Sequence, residues 1–295
     1  MKSLTKYLNE KLIIFPSQVD EKLVIFPSQV DEKLVINKNY KDLYTCVPKT
    51  FKELKQIIYD RYNKLGPGTK QKPIDFNDVD VSNIDSFFDE NNRGIFYRTR
   101  FEYIDISDWD VSNVKNMYVA FYDCEQLKSV DLSNWDVSNV KDMSCMFQGC
   151  IQLKSVDLSN WDILNVENMN HMFSDCYHLK SVGDLSNWNV SKVRSISAMF
   201  KHCEQLKSVG DLSNWDVSNV TGMSLMFCDC EQLKSVGDLS NWNVSNVERT
   251  WSMFHSCKQL KSVGDLSNWN VSKIKNMMGM FKESGITNIP DWYRG

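Results

Sequence analysis

The chain has 295 residues, of which 42% are hydrophobic and 24% charged, and its formal net charge is -4. This is the composition of an ordinary globular protein, with too little glycine and proline for a fibrous or disordered one. The mild acidity argues against non-specific nucleic-acid binding, which needs a concentrated basic face.

The N-terminus, MKSLTKYLNEKLIIFP, has a charged start, but Glu10 and Lys11 interrupt its apolar run and no small-residue cleavage site follows. Neither a signal peptide nor a transmembrane helix is expected, and a cytoplasmic or virion-associated place is favoured over secretion. An 11-residue unit then repeats in tandem: EKLIIFPSQVD at 10–20, EKLVIFPSQVD at 21–31 and EKLVI at 32–36. Each copy is a four-residue apolar run before a Pro-Ser turn signal. It reads as an extended segment or as short strands. The alternative is an apolar tether using Ile14, Phe15, Ile25 and Phe26.

Residues 48–66 predict one amphipathic helix. Thr50 and Glu53 form a capping box, Leu54, Ile57, Ile58, Tyr62 and Leu65 share a face, and Gly66 stops it. Its expected role is to cover the open end of a repeat stack, because terminal units must hide an apolar face. Segment 1–75 is therefore read as an N-terminal region with a capping helix, 76–284 as a solenoid and 285–295 as a C-terminal cap.

The solenoid is read from a repeat that tryptophan anchors at Trp109, Trp135, Trp161, Trp188, Trp215, Trp242 and Trp269, in steps of 26, 26, 27, 27, 27 and 27 residues. A fixed period of this size marks stacked supersecondary units that share a core. A partial copy precedes them at 79–84, with Val79 in the tryptophan place, and 91–100 is an insertion. At the far end Ile286, Ile289 and Trp292 imitate one more strand, which Pro290 ends. Within a copy, Leu127, Val130 and Leu132 predict a short strand. Gly183, Gly210, Gly237 and Gly264 lengthen the later copies by one residue, as a strand bulge would. Val140, Met143, Met146, Phe147 and Cys150 are spaced like one face of a helix, with Ser138 or Asn139 as N-cap and a capping box at Ser245 and Glu248. The expectation is an α/β solenoid, leucine-rich-repeat-like, with one short parallel strand and one helix per 26–27-residue repeat.

The L-x-x-V-x-L-x-x-W-x-V frame resembles a leucine-rich repeat with tryptophan where asparagine usually stands. The fuller phrase LSNWDVSNVxxMxxMFxxC resembles the BspA-like leucine-rich repeat proteins of bacteria, mycoplasmas and some phages, over roughly residues 76–292. The resemblance implies a curved solenoid used for binding, in many relatives at the cell surface and in adhesion. It supplies no catalytic residues.

Comparison of the copies sorts the surface into constant and varied columns. Lys128, Lys154, Lys180, Lys207, Lys234 and Lys261 form one constant column, and Asp131, Asp157, Asp184, Asp211, Asp238 and Asp265 another. Neighbouring aspartates about 5 Å apart repel by roughly 0.8 kcal/mol even in water. They are expected to be solvated or paired with the lysines. Calcium is the other reading, although no calcium-loop spacing accompanies it. The varied column holds Lys141, Asp142, Glu167, Arg194, Glu248, Arg249 and Lys275, and is where a specific partner would bind.

Six of the nine cysteines, Cys124, Cys150, Cys176, Cys203, Cys230 and Cys257, share one repeat position and read as small buried thiols in a reducing setting. Cys228 and Cys230 are too close for a zinc knuckle. The four histidines occupy unlike positions and converge on nothing in the sequence. No metal site, no cofactor and no enzyme activity are expected, since nucleophile–base pairs and phosphate loops are absent. The expected function is non-catalytic binding of a protein or polysaccharide, without nucleic acid or membrane insertion. A structural spacer in a particle or envelope is the alternative.

Overall fold

In the computed structural model, residues 13–15, 23–25 and 45–294 are described, the first two stretches by their backbone. The chain divides into two compact units, Met1–Cys46 and Val47–Gly295. In the first, strands β1 (Ile13–Phe15) and β2 (Leu23–Ile25) pair antiparallel, with Ile13 opposite Ile25. The short-strand reading of the 11-residue duplication thus applies to these two runs. The tether reading concerns side chains outside the described residues.

The second unit begins with helix α1 (Phe51–Leu65). Thr50 caps it, its Oγ1 accepting from the Glu53 N–H at 3.2 Å, while the Glu53 carboxylate accepts from the Lys49 N–H at 2.6 Å. Gly66, at φ +76°, ends the helix and donates to the Tyr62 carbonyl. Leu54 and Ile58 are buried, Tyr62 meets Phe101 edge-on at 5.0 Å, and the Arg61 guanidinium lies over the Phe76 ring at 4.9 Å while pairing with Asp78. The helix therefore buries its apolar face against the first repeat.

The repeats stack through two parallel backbone ladders. Ladder one starts with β3 (Ile74–Asp75) and β4 (Ile104–Asp105) and continues as single bridges Tyr103–Ser129–Ser155–Ser181. The bridges stop at Ser181, where the glycine copies begin. Gly183, Gly210, Gly237 and Gly264 adopt φ between +84° and +89°, the left-handed bulge geometry that only glycine tolerates well. Hydrogen bonds still cross the units there, as from the Leu185 N–H to the Val209 carbonyl at 2.9 Å. Ladder two runs through Asn116, Asp142, Asn168, Ser195, Gly222, Arg249 and Asn276.

Among the described residues no repeat contains an α-helix, and this corrects the expectation of one helix per unit. The stretch from Met143 to Cys150 is a succession of turns. Left-handed residues interrupt it every fourth position: Cys145 (φ +55°) and Gly149 (+76°), then His171 and Asp175, then Ala198 and His202. Alternate N–H groups leave the unit. Met143, Cys145, Phe147 and Gly149 donate to the carbonyls of Asn168, Asn170, Met172 and Ser174 in the next copy. Of the N–H groups between them, Ser144 donates to Asp142 Oδ1, and Met146 and Gln148 reach back only three residues, to Met143 and Cys145. An α-helix needs all these donors inside its own segment, so stacking and helix are mutually exclusive here. The proposed caps have other work: the Ser138 N–H donates to Asp136 Oδ1 and the Asn139 side chain to the Ser112 carbonyl one unit back. The Ser245 N–H likewise meets Asn243 Oδ1, and Glu248 pairs with Lys275.

The core is a set of side-chain ladders. The repeat tryptophans are 3–4% exposed, and each indole N–H donates to a leucine-position carbonyl in the preceding unit, as Trp188 to Leu158 at 3.1 Å. Trp188, Trp215, Trp242 and Trp269 stack with nearly parallel rings 6.4 Å apart. Trp292 extends this stack on Trp269 and donates to the Leu266 carbonyl. Phenylalanines form a second stack from Phe96 to Phe281, with centroids 4.9–5.9 Å apart, within the range where ring pairs attract.

Two substitutions test this packing. Trp188→Ala should destabilise by about 3–5 kcal/mol through the cavity it leaves. Trp188→Phe, which keeps most of the volume but orphans the Leu158 carbonyl, should cost about 1–3 kcal/mol. Urea titration followed by circular dichroism ranks the two. At Gly237 (φ +84°) an added Cβ would lie 1.8 Å from Asp211 Oδ1. Gly237→Ala should therefore cost about 1–3 kcal/mol in the same titration.

Candidate interaction surface

The constant aspartate column belongs to ladder one. Each carboxylate there turns back on its own chain: Asp131 Oδ1 accepts from the N–H and hydroxyl of Ser133, and Asp157 from those of Ser159. Asp184, Asp211, Asp238 and Asp265 accept likewise from the N–H groups of Ser186, Ser213, Ser240 and Ser267. These bonds outweigh the mutual repulsion of the column. The backbone and hydroxyl of Ser240 hold Asp238 below the usual carboxylate range although Asp211 and Asp265 push it up. The serine hydroxyls do the same for Asp157, Asp211 and Asp265. Among the described residues no ion pair joins the lysine column to the aspartates, so the lysine-pairing reading is corrected. Lys128 instead meets Glu102 at 2.5 Å, and Lys261 donates to the Lys258 carbonyl. Asp131, Asp157 and their neighbours line only a shallow groove of about 310 Å³.

The varied residues lie on ladder two, not on a helix. Asp142 and Arg249 are bridge residues of that ladder. Lys141, Glu167, Arg194, Glu248 and Lys275 each precede a bridge, and their backbones link one to the next, as Glu167 N–H to Lys141 carbonyl and Lys275 N–H to Glu248 carbonyl, both 2.8 Å. Fixed backbone pairing thus holds their side chains in one row. Lys141, Asp142, Glu167 and Arg194 come together around a groove of about 400 Å³ with Asn168, Asn170 and Ser195. Glu248, Arg249 and Lys275 continue the same row further along. Two neighbour pairs bond across the rungs: Arg194 Nε to Glu167 at 3.5 Å and Lys275 Nζ to Glu248 at 2.7 Å. The Lys275 ammonium holds the Glu248 carboxyl below its usual range. Such exposed pairs add little stability, and they leave the charged heads in solvent.

A third group was not legible as a site. The expectation that the histidines converge on nothing is corrected for two of them. His202 places Nδ1 2.7 Å from Asp175 and Nε2 3.2 Å from Asp229, and His255 Nδ1 lies 3.6 Å from the other Asp229 oxygen. The Cys228 thiol donates to Asp229 at 3.1 Å. Burial pushes that thiol up to about 12, with the bond to Asp229 adding to it. The signal was present in the column alignment: Cys228 and His255 hold the same repeat place in adjacent copies, and Asp175, His202 and Asp229 hold the next place in three. The other two histidines stay apart. His178 Nδ1 meets the Ile151 carbonyl at 2.9 Å, and burial holds His171 below the usual imidazole range.

Two overlapping stretches, residues 82–209 and 180–292, match the family described as Mycoplasma protein of unknown function, DUF285. The chain belongs to that family. No curated protein matches the sequence. Two solved structures show a distant likeness. One is a leucine-rich repeat protein from Bacteroides ovatus, 18% identical, covering 54% of this chain and 47% of that one, with a TM-score of 0.21. The other is described as a TLR13–ssRNA13 complex, 14% identical, covering 55% and 28%, with a TM-score of 0.29. This chain spans less than half of each. The solenoid architecture rests on the ladders themselves. Among the described residues no helix is long and apolar enough to cross a membrane.

The six column cysteines are core donors. Each thiol bonds a phenylalanine carbonyl in the preceding unit, as Cys203 to Phe173 at 3.2 Å and Cys230 to Phe200 at 3.0 Å. Burial pushes Cys150, Cys176, Cys203, Cys230 and Cys257 well above the ordinary thiol range. They stay protonated when folded and ionise on unfolding. A raised folded pKa gives stability that is complete below the unfolded value of about 8.5 and is lost as pH rises above it. Each thiol should then cost about 1.4 kcal/mol per pH unit. The urea midpoint should fall between about pH 8.5 and about pH 9.5, and less steeply in Cys203→Ala.

Proposed function

We propose that this chain is a non-catalytic binding module, and that it recognises a protein or glycan partner along ladder two. The observation that carries this reading is the row of exposed charges on a fixed scaffold: Lys115, Lys141, Glu167, Arg194, Thr221, Glu248 and Lys275 occupy successive rungs and change sign along it. Rungs of a parallel ladder are about 4.8 Å apart, so the surface presents a rigid, ordered series of charges. Rigid pre-placement lowers the entropy cost of binding, and charge order supplies selectivity. The residues of this reading are Lys141, Asp142, Glu167, Arg194, Glu248, Arg249 and Lys275. The BspA-like phrase of the repeat supports an adhesion-related role for the same surface. In this reading residues 1–75 carry the N-terminal region with its cap, 76–284 the solenoid and 285–295 the closing cap.

Ladder one favours a second role. Its aspartates are engaged by their own serines, and its copies are uniform, as suits a spacer in a particle or envelope. The two roles separate by experiment. Wild type, a ladder-two variant (Lys141→Glu, Arg194→Glu, Lys275→Glu) and a ladder-one variant (Lys154→Glu, Lys180→Glu, Lys207→Glu) are applied to arrayed glycans and proteins. A ligand kept by the ladder-one variant and weakened at least tenfold in the ladder-two variant is the expected result. Loss confined to the ladder-one variant, or no ligand for wild type, overturns the proposal. Each variant should unfold within about 1.5 kcal/mol of wild type, about 0.5 kcal/mol for each of its three surface changes.

A further inference from the structure

The cluster around Asp229 has the chemistry of a metal site, and it stands apart from ladder two. Its ligand atoms are the Cys228 sulfur, an Asp229 carboxylate oxygen and a His255 ring nitrogen, all within 4.8 Å of one another. Thiolate, imidazole and carboxylate together are the donor set of zinc and its borderline neighbours. Tetrahedral zinc, with bonds of about 2.0–2.3 Å, sets its ligand atoms about 3.3–3.8 Å apart. Here Cys228 Sγ is 3.1 Å from one Asp229 oxygen, and His255 Nδ1 is 3.6 Å from the other. The two distances run to different Asp229 oxygens, so the three ligand atoms stand within 4.8 Å of one another, and small side-chain rotations close them to tetrahedral spacing.

Two features of the fold hold them there. Asp229 is left-handed (φ +59°), and its N–H donates to the His255 carbonyl at 2.8 Å, so the two ligand segments are hydrogen-bonded rungs. His202, whose N–H donates to the Cys228 carbonyl at 2.8 Å, spans Asp175 and Asp229 with its two ring nitrogens and orients the Asp229 carboxylate. Outer partners of this kind fix the orientation of metal ligands. Cys228 is buried and His255 is half-buried, but the core does not demand either residue at this place. Their repeat place is occupied in other copies by Tyr122, Gln148, Ser174 and Lys201. The Cys228 thiol is buried, while Asp229 and His255 are 29% and 25% exposed, which leaves an entry path.

We propose that Cys228, Asp229 and His255 bind one divalent ion of the zinc class, with His202 as a positioning residue and solvent in the fourth place. Binding displaces the thiol proton to solvent. Thiolate and carboxylate then balance the charge of the ion, and the imidazole is its neutral ligand. The ion ties the copy that carries Cys228 and Asp229 to the copy that carries His255, and so acts as a clamp between units.

The test uses the full chain without a histidine tag, stripped with chelator and titrated with Co²⁺, then with competing Zn²⁺. One equivalent of Co²⁺ should produce a thiolate-to-cobalt charge-transfer band that Zn²⁺ abolishes, and Zn²⁺ should raise the melting temperature. Cys228→Ser should remove the band. His255→Gln should weaken binding at least tenfold, and Cys46→Ser should leave it unchanged. Serine and glutamine stand at this repeat place in Ser174 and Gln148, so both variants should fold, and equal metal-free melting temperatures establish that they do. A band that survives in Cys228→Ser, undiminished affinity in His255→Gln, or no stoichiometric binding by wild type overturns the proposal.

Discussion

The structure depends on one constraint: each repeat must satisfy polar groups of its neighbour. The carbonyls that precede each tryptophan turn lie against the next copy, where water does not reach. Side chains answer them. An indole N–H takes the leucine-position carbonyl and a cysteine thiol takes the phenylalanine carbonyl, both buried, while at the surface an asparagine amide takes a serine carbonyl, as Asn219 does with Ser191 at 2.8 Å. A buried carbonyl left without a donor costs about 1–3 kcal/mol. The tryptophan and the cysteine are therefore held by their donors as well as by their volume. Ser284 shows the rule by exception. In the last copy it stands in the cysteine place and donates to its own Phe281 carbonyl, not to the copy before.

Because every bond of this kind joins only adjacent copies, stability is a sum of nearest-neighbour terms. The ends then matter out of proportion to their length. At one end, α1 sets Ile58, Tyr62 and the Arg61 guanidinium against the first copy. At the other, Trp292 supplies the indole that the last leucine carbonyl needs, although its step from Trp269 is shorter than a full repeat. Tyr293 then meets Phe281 edge-on at 5.1 Å and closes the phenylalanine stack.

The buried residues were legible in the sequence, and the backbone that carries them was not. Val140, Met143, Met146, Phe147 and Cys150 are all fully buried, as one face of a helix would be. The spacing held a contrary signal. Val137, Val140, Met143 and Met146 recur every third residue, and so do Phe147, Cys150, Leu153 and Val156. On an α-helix at about 100° per residue, Val137 and Met146 would sit about 180° apart and could not share a face. A strict period of three fits a chain that turns toward the core at each third residue. The left-handed residues left less trace. Cys145, His171 and Leu225 hold that conformation without being glycine, because bonds on both sides, to the next copy and within the turn, over-determine it. The varied column came from aligning the copies, which needs no knowledge of the backbone between them. The Asp229 cluster was missed because its members lie in two adjacent columns of three copies, and become neighbours only once the rungs are stacked.

If the varied row binds a partner as proposed, stacking limits how it discriminates. Its charges stand about 4.8 Å apart, while screening at physiological salt acts over about 8 Å. A partner group therefore senses roughly two rungs at once. Where neighbours are opposite, as Glu167 and Arg194 or Glu248 and Lys275 are, their fields largely cancel beyond that distance. Where they are alike, as Lys115 and Lys141 are, the fields add. The row thus offers one positive segment followed by near-neutral pairs, and Thr221 as an uncharged gap. Selectivity on such a surface comes from the register of a long contact rather than from any single pair.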